Sequence, residues 1–139
     1  MTNKGTYALA LFCSQNSLLK VGRRREMHVE AGFYVYIGSA FGSGGLSARL
    51  SRHFRHAKSK HWHIDYLREI TTPLFAWVSY APIRLEHRWA EQVSKQPAFT
   101  AIPRFGCSDC RCLSHLFFTA SEANLFLLRR SLAGNVEKW

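Results

Sequence analysis

A chain of 139 residues with 47% hydrophobic side chains is long enough for one core and too apolar to remain disordered. Lysine and arginine number 19 against 9 aspartates and glutamates, a formal charge of +10 with the 7 histidines neutral. Such a balance points to polyanions, nucleic acid first and an acidic membrane surface second. Met1 to Thr6 is polar and the apolar run Tyr7 to Cys13 is too short for a secretory or membrane segment, so the expectation is a cytoplasmic protein.

Gly5 to Cys13 (GTYALALFC) places Tyr7, Leu9 and Leu11 on one side and Ala8, Ala10 and Phe12 on the other, the pattern of an interior strand. Gln15-Asn16-Ser17 is turn chemistry, and Leu18 to Gly22 is expected to return beside the first strand as a hairpin. Arg23-Arg24-Arg25 reads as a solvated turn. Gly32 opens a further strand, and Phe33 to Ile37 suits a half-buried pleated surface. Gly38-Ser39-Ala40 and Gly42-Ser43-Gly44-Gly45 then break it.

Leu46, Leu50 and Phe54 form a helical stripe, with Arg49 and His53 four residues apart and side by side. Arg49, Arg52, His53, Arg55, His56, Lys58 and Lys60 give this segment only positive charge, with no acid between Gly32 and Lys60. A solvated face usually mixes signs to gain i,i+4 pairs, so contact with phosphate is the preferred reading over an ordinary charged face. In His61 to Leu67 (HWHIDYL), Trp62 and Leu67 are expected to pack against the sheet, and Asp65 to pair with a histidine or with Arg68.

Pro73 marks a break before a strand from Leu74 to Tyr80. Ile83 to Lys95 is helical, with Leu85, Trp89 and Val93 as its buried stripe and Glu86 in the first turn, where the helix dipole also favours an acid. Pro97 to Phe105 connects to an apolar strand around Leu116 to Phe118. Thr119 with Glu122 fits a capping box opening a last helix, about Ala120 to Ala133, that packs Leu125, Leu128 and Leu132. The fold class expected is α+β, a small, mainly antiparallel sheet of three or four strands flanked by helices, in one domain over residues 1–139.

Cys107, Cys110, Cys112 and His115 contain a full tetrahedral zinc set within nine residues. Zinc sites usually combine two separated pairs, so buried free thiols with His115 in a hydrogen bond are the preferred reading. A third reading is a thiol site, activated by Arg111.

The order of Tyr7 on the first strand, Tyr36 at the end of another, Arg49 and His53 on a helix and Glu86 on a later helix resembles the GIY-YIG nuclease superfamily. The first motif stands as Gly5-Thr6-Tyr7 and the second as Tyr36-Ile37-Gly38. More narrowly, the chain is similar to a branch with a glycine-rich turn (Ser39 to Arg49), an HWHIDYL segment and a late FGCSDC-x-C-x-SHLF segment, found alone or joined to DNA-repair domains. The resemblance implies a metal-dependent endonuclease acting on DNA, with RNA not excluded, and in DNA repair or processing. Tyr7, Tyr36, Arg49, His53 and Glu86 would be catalytic, with Glu86 holding one Mg2+ or Mn2+ ion. Arg49, Arg52, His56, Lys58 and Lys60 would bind nucleic acid. The Gly42–Gly45 insertion lengthens the path from Tyr36 to Arg49, which makes Arg52 a substitute for Arg49, and the family's late asparagine has no clear counterpart. The alternative is therefore a nucleic-acid-binding module of the same fold without cleavage. A function built on the Cys107 cluster is the third option. The tyrosines, Arg49 and Glu86 are expected to line one concave, positively charged surface with His53 at its rim.

Overall fold

The computed structural model describes residues 3–23, 25–55, 60, 62–105 and 114–139. Strand β1 (Gly5–Cys13) lies in the middle of an antiparallel sheet, hydrogen-bonded on one side to β4 (Gly32–Ala40) and on the other to β5 (Thr72–Ser79). Its two apolar faces explain that place, because an interior strand must bury both. Outside β4 come β7 (Leu116–Thr119) and β6 (Thr100–Ala101), and outside β5 comes β8 (Glu137–Lys138). The sheet order is β6-β7-β4-β1-β5-β8. The α+β class holds with more strands than expected, since β6 and β8 are two-residue edges that carry no periodic signal.

The segment expected to form a hairpin with β1 does otherwise. Strand β2 (Ser17–Val21) pairs with β3 (Arg25–Val29) in a separate two-stranded sheet, and Arg25 belongs to a strand rather than a turn. Both edges of β1 are already taken. Strands β2 and β3 also alternate buried and exposed residues, so they need only one covered face. Leu19, Val21, Met27 and Val29 supply that face to the core.

One side of the main sheet carries Tyr7, Leu9 and Leu11, covered by Leu46 and Leu50 of α1 (Gly45–Phe54), by Ile64 and Leu67 of α2 (His63–Leu67), and by the β2–β3 hairpin. The other carries Ala8, Ala10, Val35 and Ile37 under Trp89 and Val93 of α3 (Glu86–Ser94) and Leu125 of α4 (Glu122–Leu127). Helix α4 passes into a 3-10 turn over Leu128–Ser131. The expected capping box does not close: Ser121 precedes α4 without a side-chain cap, and Thr119 Oγ1 instead accepts a hydrogen bond from Asn124 Nδ2 at 2.8 Å. Pro73 lies inside β5, opposite Leu11, where the β1–β5 register shifts between Ala10 and Leu11 and so tolerates a residue without an N–H.

Helix α1 ends at Phe54, because Arg55 turns to extended backbone (φ -84, ψ 150). Of the basic residues assigned to that helix, Arg49, Arg52 and His53 are on it and Lys60 is beyond it. His56, Lys58, Cys107, Cys110 and Cys112 lie outside the described residues. No helix among the described residues is long and apolar enough to cross a membrane.

Candidate functional site

The β1–β4 register places Tyr7 opposite Gly38 and Leu9 opposite Tyr36, so both tyrosines project from the same face. Their rings lie 6.4 Å apart. Gly38 leaves room for the Tyr7 phenol to lie directly over the β4 backbone: a Cβ there would stand 2.4 Å from both Cζ and Oη of Tyr7. His53 comes down from α1 and is bonded through Nε2 to the Tyr7 hydroxyl at 2.7 Å. Its ring sits 6.1 Å from that of Tyr36, edge to face. His53 was expected at a rim and is instead 0% exposed, because α1 turns the Leu46–Leu50 stripe and His53 together onto the sheet. Tyr7, 1% exposed, is a core residue as well, but its hydroxyl meets a side chain rather than backbone.

Burial, first, and the neighbouring Tyr36 push the Tyr7 hydroxyl well above its ordinary pKa, against the charge and hydrogen bond of Arg49, which lower it. Tyr7 is therefore a neutral phenol near pH 7. Arg49 reaches this cluster despite the longer turn: Nη1 donates to the Ser39 carbonyl at 3.1 Å. Arg52 does not replace it. Arg52 Nη2 is bound to Asp65 Oδ2 at 2.7 Å, with the carboxylate fully buried. Asp65, expected to pair with a histidine or Arg68, reaches across to Arg52 of α1, which supplies the acid missing from that helix's own sequence. The same oxygen accepts the Trp62 backbone N–H at 3.0 Å.

Trp62, expected against the sheet, is 40% exposed and lies under two guanidiniums, those of Arg49 at 4.5 Å and Arg52 at 4.8 Å from the ring centroid. An indole face is the best of the aromatic surfaces for a cation, and here it holds two guanidiniums side by side. Lys60 lies near Glu69, 3.4 Å away, and above the Tyr66 ring. Arg68 is 2% exposed and donates from Nε to the His53 carbonyl at 2.5 Å and from Nη1 to the Thr71 carbonyl. It ties the end of α1 to the turn after α2.

Glu86 opens α3, whose apolar stripe packs on the face opposite Tyr7. Its carboxylate stands at the end of the sheet, beside Ser39, the residue next to Gly38. Ser39 Oγ donates to Glu86 Oε1 at 2.5 Å, and His115 Nδ1 meets Oε2 at 2.7 Å. Burial raises the Glu86 pKa, but the hydrogen bonds from His115 and Ser39 outweigh it and hold the carboxyl below its usual range. Tyr7 and Glu86 are close enough that the carboxylate's charge helps to raise the phenol's pKa.

His115 is buried and pinned by backbone, donating its N–H to the Phe105 carbonyl and accepting from Ile37. Among the described residues, Glu86, His87 and His115 offer ligand atoms that all lie within 4.8 Å of one another, a set able to hold a metal ion. His115 thus sits with Glu86; the cysteines with which the sequence grouped it lie outside the described residues. His87 was overlooked. Its signal was present: a histidine beside an acid in a first helical turn. Ser39 was read as a strand breaker and as the start of the glycine-rich turn, with no role in the site.

These elements define an antiparallel α+β domain in which a phenol–imidazole–guanidinium cluster adjoins a carboxylate–imidazole trio at one end of the sheet. The chain belongs to the family described as a domain of unknown function, DUF123, whose model matches residues 6–135. No curated protein and no solved structure matches it.

Proposed function

We propose that this member of DUF123 is a GIY-YIG-type, metal-dependent endonuclease that hydrolyses phosphodiester bonds in DNA. The observation that carries the reading is the buried Tyr7–His53 pair beside Arg49, on a chain of charge +10. An arginine has only donors, so the Tyr7 oxygen accepts from Arg49 and its own proton points to His53 Nε2. Arg49, held over the Trp62 ring, binds two phosphoryl oxygens through its fork and stabilises the charge that grows on them. Tyr36, only half-buried, orients the attacking water. As the water oxygen bonds to phosphorus, its proton passes to the Tyr7 oxygen while the Tyr7 proton moves to His53 Nε2. A raised phenol pKa suits this relay, because Tyr7 hands on a proton without resting as phenolate. The bond from phosphorus to the leaving oxygen breaks, and that oxygen is protonated by solvent. A divalent ion held at Glu86 supplies Lewis-acid polarisation of the phosphoryl group and counter-charge for the leaving alkoxide.

The test is a cleavage assay with Mg2+ or Mn2+ on single-stranded, duplex and branched DNA, with RNA as the comparison. Strand scission abolished by EDTA is expected, and Glu86→Ala and Arg49→Ala should each reduce it by ~100-fold or more, the scale for losing one preorganised charge contact. Variants that cleave as fast as the wild type overturn the assignment. Salt-sensitive binding with no product under any metal overturns it in favour of the binding-module alternative.

A further inference from the structure

We propose that Glu86, His87 and His115 form a one-oxygen, two-nitrogen site for a first-row transition ion such as Mn2+ or Zn2+, in preference to Mg2+. The inference rests on Glu86 as the residue that holds the ion of the proposed endonuclease, and it does not depend on the substrate. Consecutive residues of a helix point about 100° apart. Glu86 and His87 nonetheless bring ligand atoms within reach of a single third residue, His115, whose position is fixed by two backbone hydrogen bonds of 2.8 and 2.9 Å.

A hydrogen bond between Glu86 and His115 accounts for those two side chains alone. It does not account for His87, which is exposed, stands with its ring 5.7 Å from that of His115, and makes no hydrogen bond among the described residues. Metal coordination accounts for all three. Adjacent ligands on an ion with bonds of roughly 2.1 Å sit about 3 Å apart. The 2.7 Å between Glu86 Oε2 and His115 Nδ1 is already near that spacing, so mainly His87, exposed and movable, has to close.

The donor set decides the metal class. Mg2+ takes oxygen ligands and sheds water reluctantly, whereas imidazole nitrogens suit the transition series. Ser39, donating to the other carboxylate oxygen, orients the Glu86 ligand from outside the trio. One buried histidine and one exposed one leave the site closed toward the sheet and open toward solvent, where water or a phosphoryl oxygen can complete the coordination.

The full chain is titrated with Mn2+ alone, without nucleic acid, following the free-ion electron paramagnetic resonance signal. Mn2+ is chosen because the cysteines around Cys110 attract it far less than Zn2+. One bound ion is expected, displaced by micromolar Zn2+ and not by millimolar Mg2+. Electron spin-echo modulation of the bound ion should show imidazole nitrogen. His87→Ala should weaken binding by ~10-fold or more and remove part of that modulation, and Glu86→Ala should abolish binding. His115→Ala is read only after circular dichroism shows it folded, and exposed His87 carries the test if it is not. Mn2+ held by Glu86 with no nitrogen modulation, and unchanged in His87→Ala, overturns the inference while leaving the endonuclease reading intact. Absence of Mn2+ binding overturns it too, with the cleavage assay then judging the endonuclease reading separately.

Discussion

Replacing Gly38 by alanine puts the packing of the tyrosine site to a quantitative test. The added Cβ would stand 2.4 Å from Tyr7 Cζ and Oη and 3.0 Å from Cε1. The ring has little freedom to yield, being 1% exposed and bonded to His53 at 2.7 Å. Overpacking of this kind costs about 1–3 kcal/mol, and loss of the Tyr7–His53 hydrogen bond adds ~1 kcal/mol. Removing a glycine from the unfolded chain returns about 0.4–1 kcal/mol. The net expectation is roughly 1–3.6 kcal/mol of destabilisation. At an unfolding entropy of ~2.1 cal/mol/K per residue, the 139-residue chain has about 0.29 kcal/mol/K, so the melting temperature should fall by ~3–12 °C. Urea unfolding of the four chains of a double-mutant cycle with Tyr7→Leu is the assay. Leucine ends short of the atoms in contact with Gly38, so Gly38→Ala should cost little or nothing in that background. An equal cost in both backgrounds, or none in the wild type, would refute the argument that the Tyr7 ring requires glycine here.

Three further outcomes are expected. Tyrosinate absorbance measured against pH should show that Tyr7 and Tyr34, of the 5 tyrosines, remain protonated well above pH 10 in the folded chain, because burial raises both. Since the folded-state pKa values lie above the unfolded ones, the stability they contribute is complete below about pH 10 and is lost as pH rises through the folded values; Tyr7→Phe and Tyr34→Phe should each remove one late-titrating group. Arg68→Met should destabilise by about 2 kcal/mol or more in urea, because the carbonyls of His53 and Thr71 lose their buried donor; a stabilised variant would mean that the burial cost of the guanidinium outweighs its hydrogen bonds. Trp62→Ala should weaken DNA binding by removing the ring that supports both arginines, while Trp62→Phe retains more of it, read by fluorescence anisotropy at fixed salt; equal affinity for the two variants would remove the cation–π argument.

The parts of the molecule that sequence made legible are those where one local pattern decides the outcome. Strand β1 was readable because both its faces are apolar, and the Leu85–Trp89–Val93 stripe because a helix has one period. The partner of β2 was not readable, since pairing depends on which edges are free, and the free edge is a property of the whole sheet. The site shows the same division. Tyr36 and Arg49 were marked by strand and helix spacing, and Tyr7 joined them through the resemblance in motif order. The depth of His53 was not so marked, because four-residue spacing places it near both the basic face and the leucine stripe, and only packing chooses. Asp65 as the partner of Arg52 and Trp62 as the seat of two arginines both depend on how α2 crosses α1, which no local pattern encodes. The contact of His115 with Glu86, 29 positions away along the chain, is likewise set by the fold and not by any local pattern.

The division between the faces of the sheet also explains why Ser39 matters. Neighbouring residues of a strand point to opposite faces, so the phenol that requires Gly38 and the carboxylate that meets Ser39 approach β4 from different sides. Their chemistry can meet only where β4 ends and the sheet no longer separates them. Ser39 stands at that point and serves both halves with different atoms: its carbonyl accepts from Arg49, and its hydroxyl donates to Glu86. The arginine contact survives a change of side chain, whereas the carboxylate contact does not. A small side chain with one hydroxyl at the strand end therefore stands between the Arg49 guanidinium, proposed to receive phosphate, and the Glu86 carboxylate, proposed to receive an ion.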